Sequence, residues 1–302
     1  MAGFLTNIEH FFKQKSILAN LIAINIGVFL LVRLCGIFAT LFNLDPGFIM
    51  EWLHLPADIT QLIVLPWTII TYMFTHFGFL HILFNMLWLY WFGQMFLLFF
   101  NSRQLMGLYL LGGIAGAILF ILSYNTFPYF NQAISYSYLI GASASVMAIV
   151  FGVAFYRKDF EVGLLFLGRV KIIYLALFTL VLDLLSVTST NAGGHIAHIG
   201  GALLGFLYAH YMLKGKDITS SLNFIIDKIV NLFKKRPDKK KMKVTYKNPS
   251  TGNNRNADYD YNARKKQEQA EIDKILDKIK KSGYASLTEE EKKKLFDASN
   301  KY

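Results

Sequence analysis

The sequence predicts an all-α polytopic membrane protein: six transmembrane helices, a re-entrant segment after the first, and a cytosolic C-terminal helical tail. Three observations predict it. The 302 residues are 54% hydrophobic, above the roughly 45–50% of a soluble domain. The excess is gathered before residue 214, in runs that reach the ~20 residues needed to cross a bilayer core. The net charge of +11 is split unevenly, with +1 over residues 1–213 and +10 over residues 214–302. A basic, polar tail after an apolar body separates a membrane domain from a soluble appendage.

The spans are read at about 18–41, 79–100, 104–124, 139–156, 171–187 and 196–213. The stretch "QLIVLPWTIITYMF" (61–74) is apolar but short and interrupted by Pro66, so it is expected to be re-entrant or interfacial, sheltered by protein. The polar connections alternate in charge. Lys13 and Lys15, then Arg103, then Arg157, Lys158, Arg169 and Lys171, then Lys214 and Lys216 mark one side. Segments 44–78, 125–138 and 188–195 carry no Lys or Arg. By the positive-inside pattern both termini are cytosolic. The organisation expected is a cytosolic N-terminus (1–17), a membrane domain (18–213) and a basic cytosolic tail (214–302). An integral protein of a bacterial inner (plasma) membrane is the expected location. One cysteine, Cys35, excludes an intrachain disulfide. Nothing points to metal, redox or cofactor chemistry, or to nucleic acid.

Polar side chains inside spans are the functional candidates. In the second span His81 and Asn85 are four apart and share a helix face near its outer end; the alternative is that they are packing glue between helices. In the fourth, "GASASVMA" (141–148), the small residues Gly141, Ser145, Ala148 and Gly152 recur at helical spacing as a packing stripe. Ser143 lies on a different face. In the sixth, His198, Gly201, Gly205 and Ala209 form a second stripe, and Gly201-x-x-x-Gly205 permits close approach of another helix. His195, three residues earlier, is expected in the loop. His81, Asn85, Ser143 and His198 come from three spans at one level near the outer surface. A serine, a base and oxyanion donors at one depth suit acyl transfer: His198 takes the proton of Ser143. The Ser143 backbone N–H, His81 and Asn85 stabilise the oxyanion.

In "HILFN" (81–85), "GAS" (141–143) and "AHIGGALLG" (197–205), in this order and on these spans, the chain resembles the rhomboid family of intramembrane serine proteases, over residues 15–213. The resemblance implies Ser143 as nucleophile and His198 as base, a dyad without a required acid. It further implies His81 and Asn85 as oxyanion side chains, and Gly141, Gly201 and Gly205 as helix-contact glycines. The segment around Pro66 and Trp67 is similar to the family's membrane-embedded first loop. The family usually has Gly after the nucleophile, where this chain has Ala144, and some members carry an aromatic where it has Met147. Asp183, in the fifth span, is expected to be structural or cavity-lining rather than a third catalytic member.

The activity expected is therefore a serine-type endopeptidase cleaving in or near transmembrane segments, with transmembrane proteins as substrates and no cofactor. Two rivals are a catalytically silent scaffold that binds membrane proteins and a small transporter with a histidine proton relay. The transporter predicts internal repeats and a midplane site; no repeat is evident. In the tail, 220–233 reads as an amphipathic helix on an anionic lipid surface and 245–266 as a linker. The rest reads as a helical hairpin, with Gly283 ending its first helix and Thr288/Glu291 capping its second.

Overall fold

The computed structural model describes residues 16–164, 168–233 and 255–299; Lys13, Lys15 and most of the expected N-terminal segment lie outside them. The chain forms two compact units, Met1–Lys235 and Arg236–Tyr302. In the first, long helices are α1 (Ile17–Leu41), α5 (Phe79–Leu97), α6 (Ser102–Thr126) and α9 (Ala192–Leu213), and these four are long and apolar enough to cross a membrane. Two shorter apolar helices, α7 (Ser143–Tyr156) and α8 (Ile172–Leu185), have 14 residues each. Between α1 and α5 lie three short helices, α2 (Phe48–Glu51), α3 (Ile59–Val64) and α4 (Thr68–Thr71), with a 3-10 turn at Tyr72–Phe74. The apolar stretch 61–74 is thus broken, as Pro66 dictates by lacking a backbone donor.

The core is built around α7, whose residues Ala144 to Ala154 are all buried and which packs against α5, α6, α8 and α9. A helix apolar on nearly every side belongs in the middle of a bundle. Its tightest neighbour is α9. A Cβ added at Gly201 would fall on the Ala144 carbonyl oxygen, and one at Gly205 on the Ala148 carbonyl oxygen. Only hydrogen at these two positions lets the backbones meet. Ser145 lies on the packed side of α7, and its buried Oγ makes no hydrogen bond among the described residues.

The fourth apolar stretch starts as something other than helix. Tyr138–Leu139 is a short strand, β2, antiparallel to β1 (Leu55–Pro56) with Leu55 opposite Leu139 and Pro56 opposite Tyr138. The chain then turns at Gly141, with φ +111°, and the helix begins at Ser143. This turn is fastened from the 55–76 segment. Ala57 N–H donates to the Ser137 carbonyl at 3.0 Å and Gly141 N–H to the Tyr72 carbonyl at 2.9 Å. Tyr72 is in turn anchored on α6, its hydroxyl donating to the Gly113 carbonyl at 2.6 Å. Tyr72→Phe removes that bond from a buried site and is expected to lower stability by about 1 kcal/mol. Thermal unfolding in detergent reads it, and an unchanged midpoint would remove Tyr72 as an anchor.

A hairpin of β3 (Glu161–Leu164) and β4 (Gly168–Lys171) follows α7, with Glu161 opposite Lys171. Helix α10 (Ser220–Phe233) packs on the start of α6. Arg103 pairs with Asp227 at 3.1 Å, and Asn223 Nδ2 donates to the Arg103 carbonyl at 3.2 Å.

The second unit contains α11 (Arg255–Ser282) and α12 (Glu289–Ser299). Residues 255–266, expected as linker, are helical; 245–254 fall outside the described residues. Gly283 follows α11 with φ +76°. Thr288 N–H donates to Glu291 Oε2 at 2.8 Å and Glu291 N–H to Thr288 Oγ1 at 3.3 Å, the reciprocal capping box. Lys278 and Glu291 join the two helices at 2.8 Å.

Candidate active site

Helices α5, α7 and α9 all begin at one place. His81 is the third residue of α5, Ser143 the first of α7 and His198 the seventh of α9. Because all three helices run away from this place, the basic residues beyond their C-termini, Arg103, Arg157 and Lys214, lie at the opposite ends of these helices.

Two cavities meet here. One, of about 420 Å³, is lined by His81, Asn85, Tyr138, Ser143, Asn191 and His198 among others. The other, of about 300 Å³, is walled by Phe84 and Trp88 of α5, Met147 of α7, Thr179 and Asp183 of α8, and His195 of α9. Asn85, Ser143 and His198 line both. The first cavity borders the connecting segments; the second is an apolar cleft between α5 and α8. A further cavity of about 640 Å³ lies between α1 and the following segment, lined by Arg33, Asp45, Glu51 and His54 among others. Its lining includes none of Ser143, Asn85 and His198.

Ser143 occupies the first helical position after Ala142, whose backbone is already helical. Its backbone N–H has no intrahelical acceptor, as for any first-turn residue, and no partner among the described residues. Gly141 supplies the turn into this position. It precedes α7 instead of belonging to the helical stripe read from the sequence. Its positive φ places it before α7, and a Cβ there would sit 2.8 Å from His81 Nε2 and 3.9 Å from Ser143 Oγ. Glycine keeps the imidazole of His81 and the serine hydroxyl at one small space.

Asn85 is 8% exposed, and its Nδ2 donates to the His81 carbonyl at 2.9 Å. An amide NH₂ has two hydrogens, so the second remains for the cavity. Among the described residues, no hydrogen bond joins Ser143 to His198; catalytic hydrogen bonds are often loose before substrate binds.

His198 is held from behind. Its Nδ1 lies 2.9 Å from Asp183 Oδ1, and His195 Nδ1 lies 2.7 Å from the same oxygen. Asp183 is 6% exposed. An ionised carboxylate only accepts, so against it each histidine donates from Nδ1. That leaves the Nε2 lone pair of His198 free to take a proton. Asp183, expected to be structural or cavity-lining, lines the second cavity and bonds both histidines; His195 is within α9, which corrects its expected place in a loop.

His76 is a residue that the sequence reading missed. Ala142 N–H donates to His76 Nε2 at 3.4 Å, and the His76 and His81 rings meet at 5.0 Å between centroids. Burial first, then the neighbouring His81, lowers the pKa of His76 to about 4. It is therefore neutral, which its acceptor role toward Ala142 requires. Its position five residues before His81 was the available signal.

Comparison with known proteins finds family matches in both units. A family model described as Rhomboid domain matches residues 65–215, and one described as a family of unknown function (DUF6576) matches residues 255–301. RHOMBOID-like protein 12, mitochondrial, of Arabidopsis thaliana is 30% identical over 158 residues, covering 49% of this chain and 47% of that protein. The chain thus spans about half the length of the curated relative it matches.

Proposed function

Because this chain belongs to the rhomboid family, we propose that it is an intramembrane serine endopeptidase that hydrolyses peptide bonds in or near transmembrane segments of other proteins. The observation that carries the reading is His198 with its Nδ1 on buried Asp183, in a cavity that Ser143 also lines.

In this mechanism His198 Nε2 accepts the proton of Ser143 Oγ as that oxygen attacks the scissile carbonyl. The developing oxyanion is met by the Ser143 backbone N–H at the start of α7, by the second Nδ2 hydrogen of Asn85, and by His81 Nε2–H. The helix N-terminus adds its positive end. His198 then gives the proton to the leaving amine, and water repeats the cycle on the acyl-enzyme. A helical substrate hides its carbonyls in its own hydrogen bonds, so it must unwind locally to reach Ser143. Helix-breaking and small residues near the cut are therefore favoured.

The same reading takes six spans, with α7 and α8 completing the four longer helices and residues 61–74 dipping in from the outer side. It takes 18–213 as the membrane domain and 214–302 as a cytosolic tail. Both termini face the cytosol of a bacterial inner membrane, and the site opens outward. Cleavage of a model transmembrane substrate by the purified chain in liposomes, with the new termini sequenced, tests it. Products cut outside the transmembrane segment and its flanks, or no products at all, would count against it.

Asp183 has a positioning role: it fixes the tautomer and ring orientation of His198. Asp183→Asn keeps the shape, but its amide nitrogen can donate to a histidine Nδ1 and so move the ring proton to Nε2. The expected result is a fall in kcat of about 10²–10⁴-fold with KM unchanged, measured on folded protein. Equal activity would reduce Asp183 to packing. A second reading is a silent scaffold that binds membrane proteins, for which the apolar cleft between α5 and α8 is suited. Absence of any fluorophosphonate labelling at Ser143 would select it.

A further inference from the structure

We propose that Asp183, His195 and His198 form a divalent-cation site, of zinc type, whose occupation removes the base from Ser143. The inhibitory effect rests on the protease reading; the binding itself does not. Nothing in the spacing of these residues in the sequence announces a metal site. It is assembled by α8 meeting α9.

The imidazole nitrogens of His195 and His198 and a carboxylate oxygen of Asp183 lie within 4.8 Å of one another. Two imidazoles and one carboxylate are a donor set used at open zinc sites, with a fourth position left for water. Zinc bonds of about 2.0–2.2 Å put tetrahedral ligands roughly 3.3 Å apart. The present N···O distances of 2.7 and 2.9 Å therefore need to open by only about half an ångström. His195 and His198 are three residues apart and share a helix face. The carboxylate is buried, and among the described residues its ion-pair partners are these two histidines, with no Lys or Arg. All three line the cleft that also contains Ser143, which provides a route in.

Binding through Nδ1 dictates the consequence. Each imidazole keeps its single ring proton, which moves through solvent from Nδ1 to Nε2, so no proton is lost overall. His198 then presents Nε2–H to Ser143 and has no lone pair with which to accept its proton.

The test uses the full chain, purified in detergent and stripped of metal. Calorimetry follows zinc chloride binding, and a fluorophosphonate follows Ser143, each variant being read against its own zinc-free rate. A single strong zinc is expected per chain, with labelling slowed by at least about tenfold at saturation and restored by EDTA. His195→Ala is expected to weaken zinc binding by about tenfold or more and to relieve the inhibition. Unchanged zinc affinity in both His195→Ala and Asp183→Asn would overturn the site, as would labelling indifferent to saturating zinc. Zinc binding lost in these variants, in a chain that never labels, would uphold the cation site and sink the protease reading.

Discussion

Ser143→Ala lowers cleavage of a transmembrane substrate by about 10⁴–10⁶-fold, with the protein still folded. Loss of a serine nucleophile that acts as a unit with its base costs about this much, and loss of the base alone is similarly severe. The side chain is a good subject for a clean test because Ser143 is the first residue of α7 and faces the cavities, while the packing of α7 is carried by Ala144 to Ala154. Removing one oxygen there leaves the helix contacts intact. Ser145→Ala is the internal control: its Oγ is buried and makes no hydrogen bond among the described residues, so activity is expected to stay near that of the parent. Substrate turnover by purified variants reads both. A Ser143→Ala protein that still cleaves at more than a few per cent would remove the mechanism.

Gly201→Ala is expected to have the largest effect on folding. The added methyl meets the Ala144 carbonyl oxygen, a backbone atom of the residue after Ser143. Side chains can rotate away from an intruder, but a carbonyl in a packed helix can move only with its helix. Overpacking typically costs 1–3 kcal/mol and occasionally more; here about 3 kcal/mol is expected, together with displacement of Ser143 and slower labelling. Gly152→Ala is the contrast. Its nearest obstacle is the end of the Leu108 side chain at 3.0 Å, which can shift, so its loss is expected to be smaller. Thermal unfolding and Ser143 labelling of both variants distinguish them. Equal stability of the two would mean that α7 and α9 do not depend on contact at Gly201.

The sequence made legible what helical periodicity and charge can report. His81 with Asn85, Ser143 off the small-residue stripe, and His198 at the head of a glycine stripe were all visible because each lies in an apolar run with a period of its own. Contacts between distant segments were not. The β1–β2 pairing joins residues more than eighty positions apart. Leu139 and Ile140 read as helix because apolar continuity does not tell a strand from a helix, and that in turn drew Gly141 into a helical stripe. His76 lies just outside the apolar run that contains His81. The link of Asp183 to two histidines needed the relative rotation of α8 and α9, which no single-helix pattern contains. Residues 255–266 read as linker because they are rich in Asn, Lys, Asp and Tyr, although they form the start of α11.

The central claim is that Ser143 is a nucleophile activated by His198. Mass mapping of the purified protein after exposure to a fluorophosphonate tests it most directly. The account predicts one adduct, on Ser143, absent from the Ser143→Ala protein and lost or greatly slowed in His198→Ala. An adduct on Ser145, or labelling of Ser143 undiminished by His198→Ala, would contradict it.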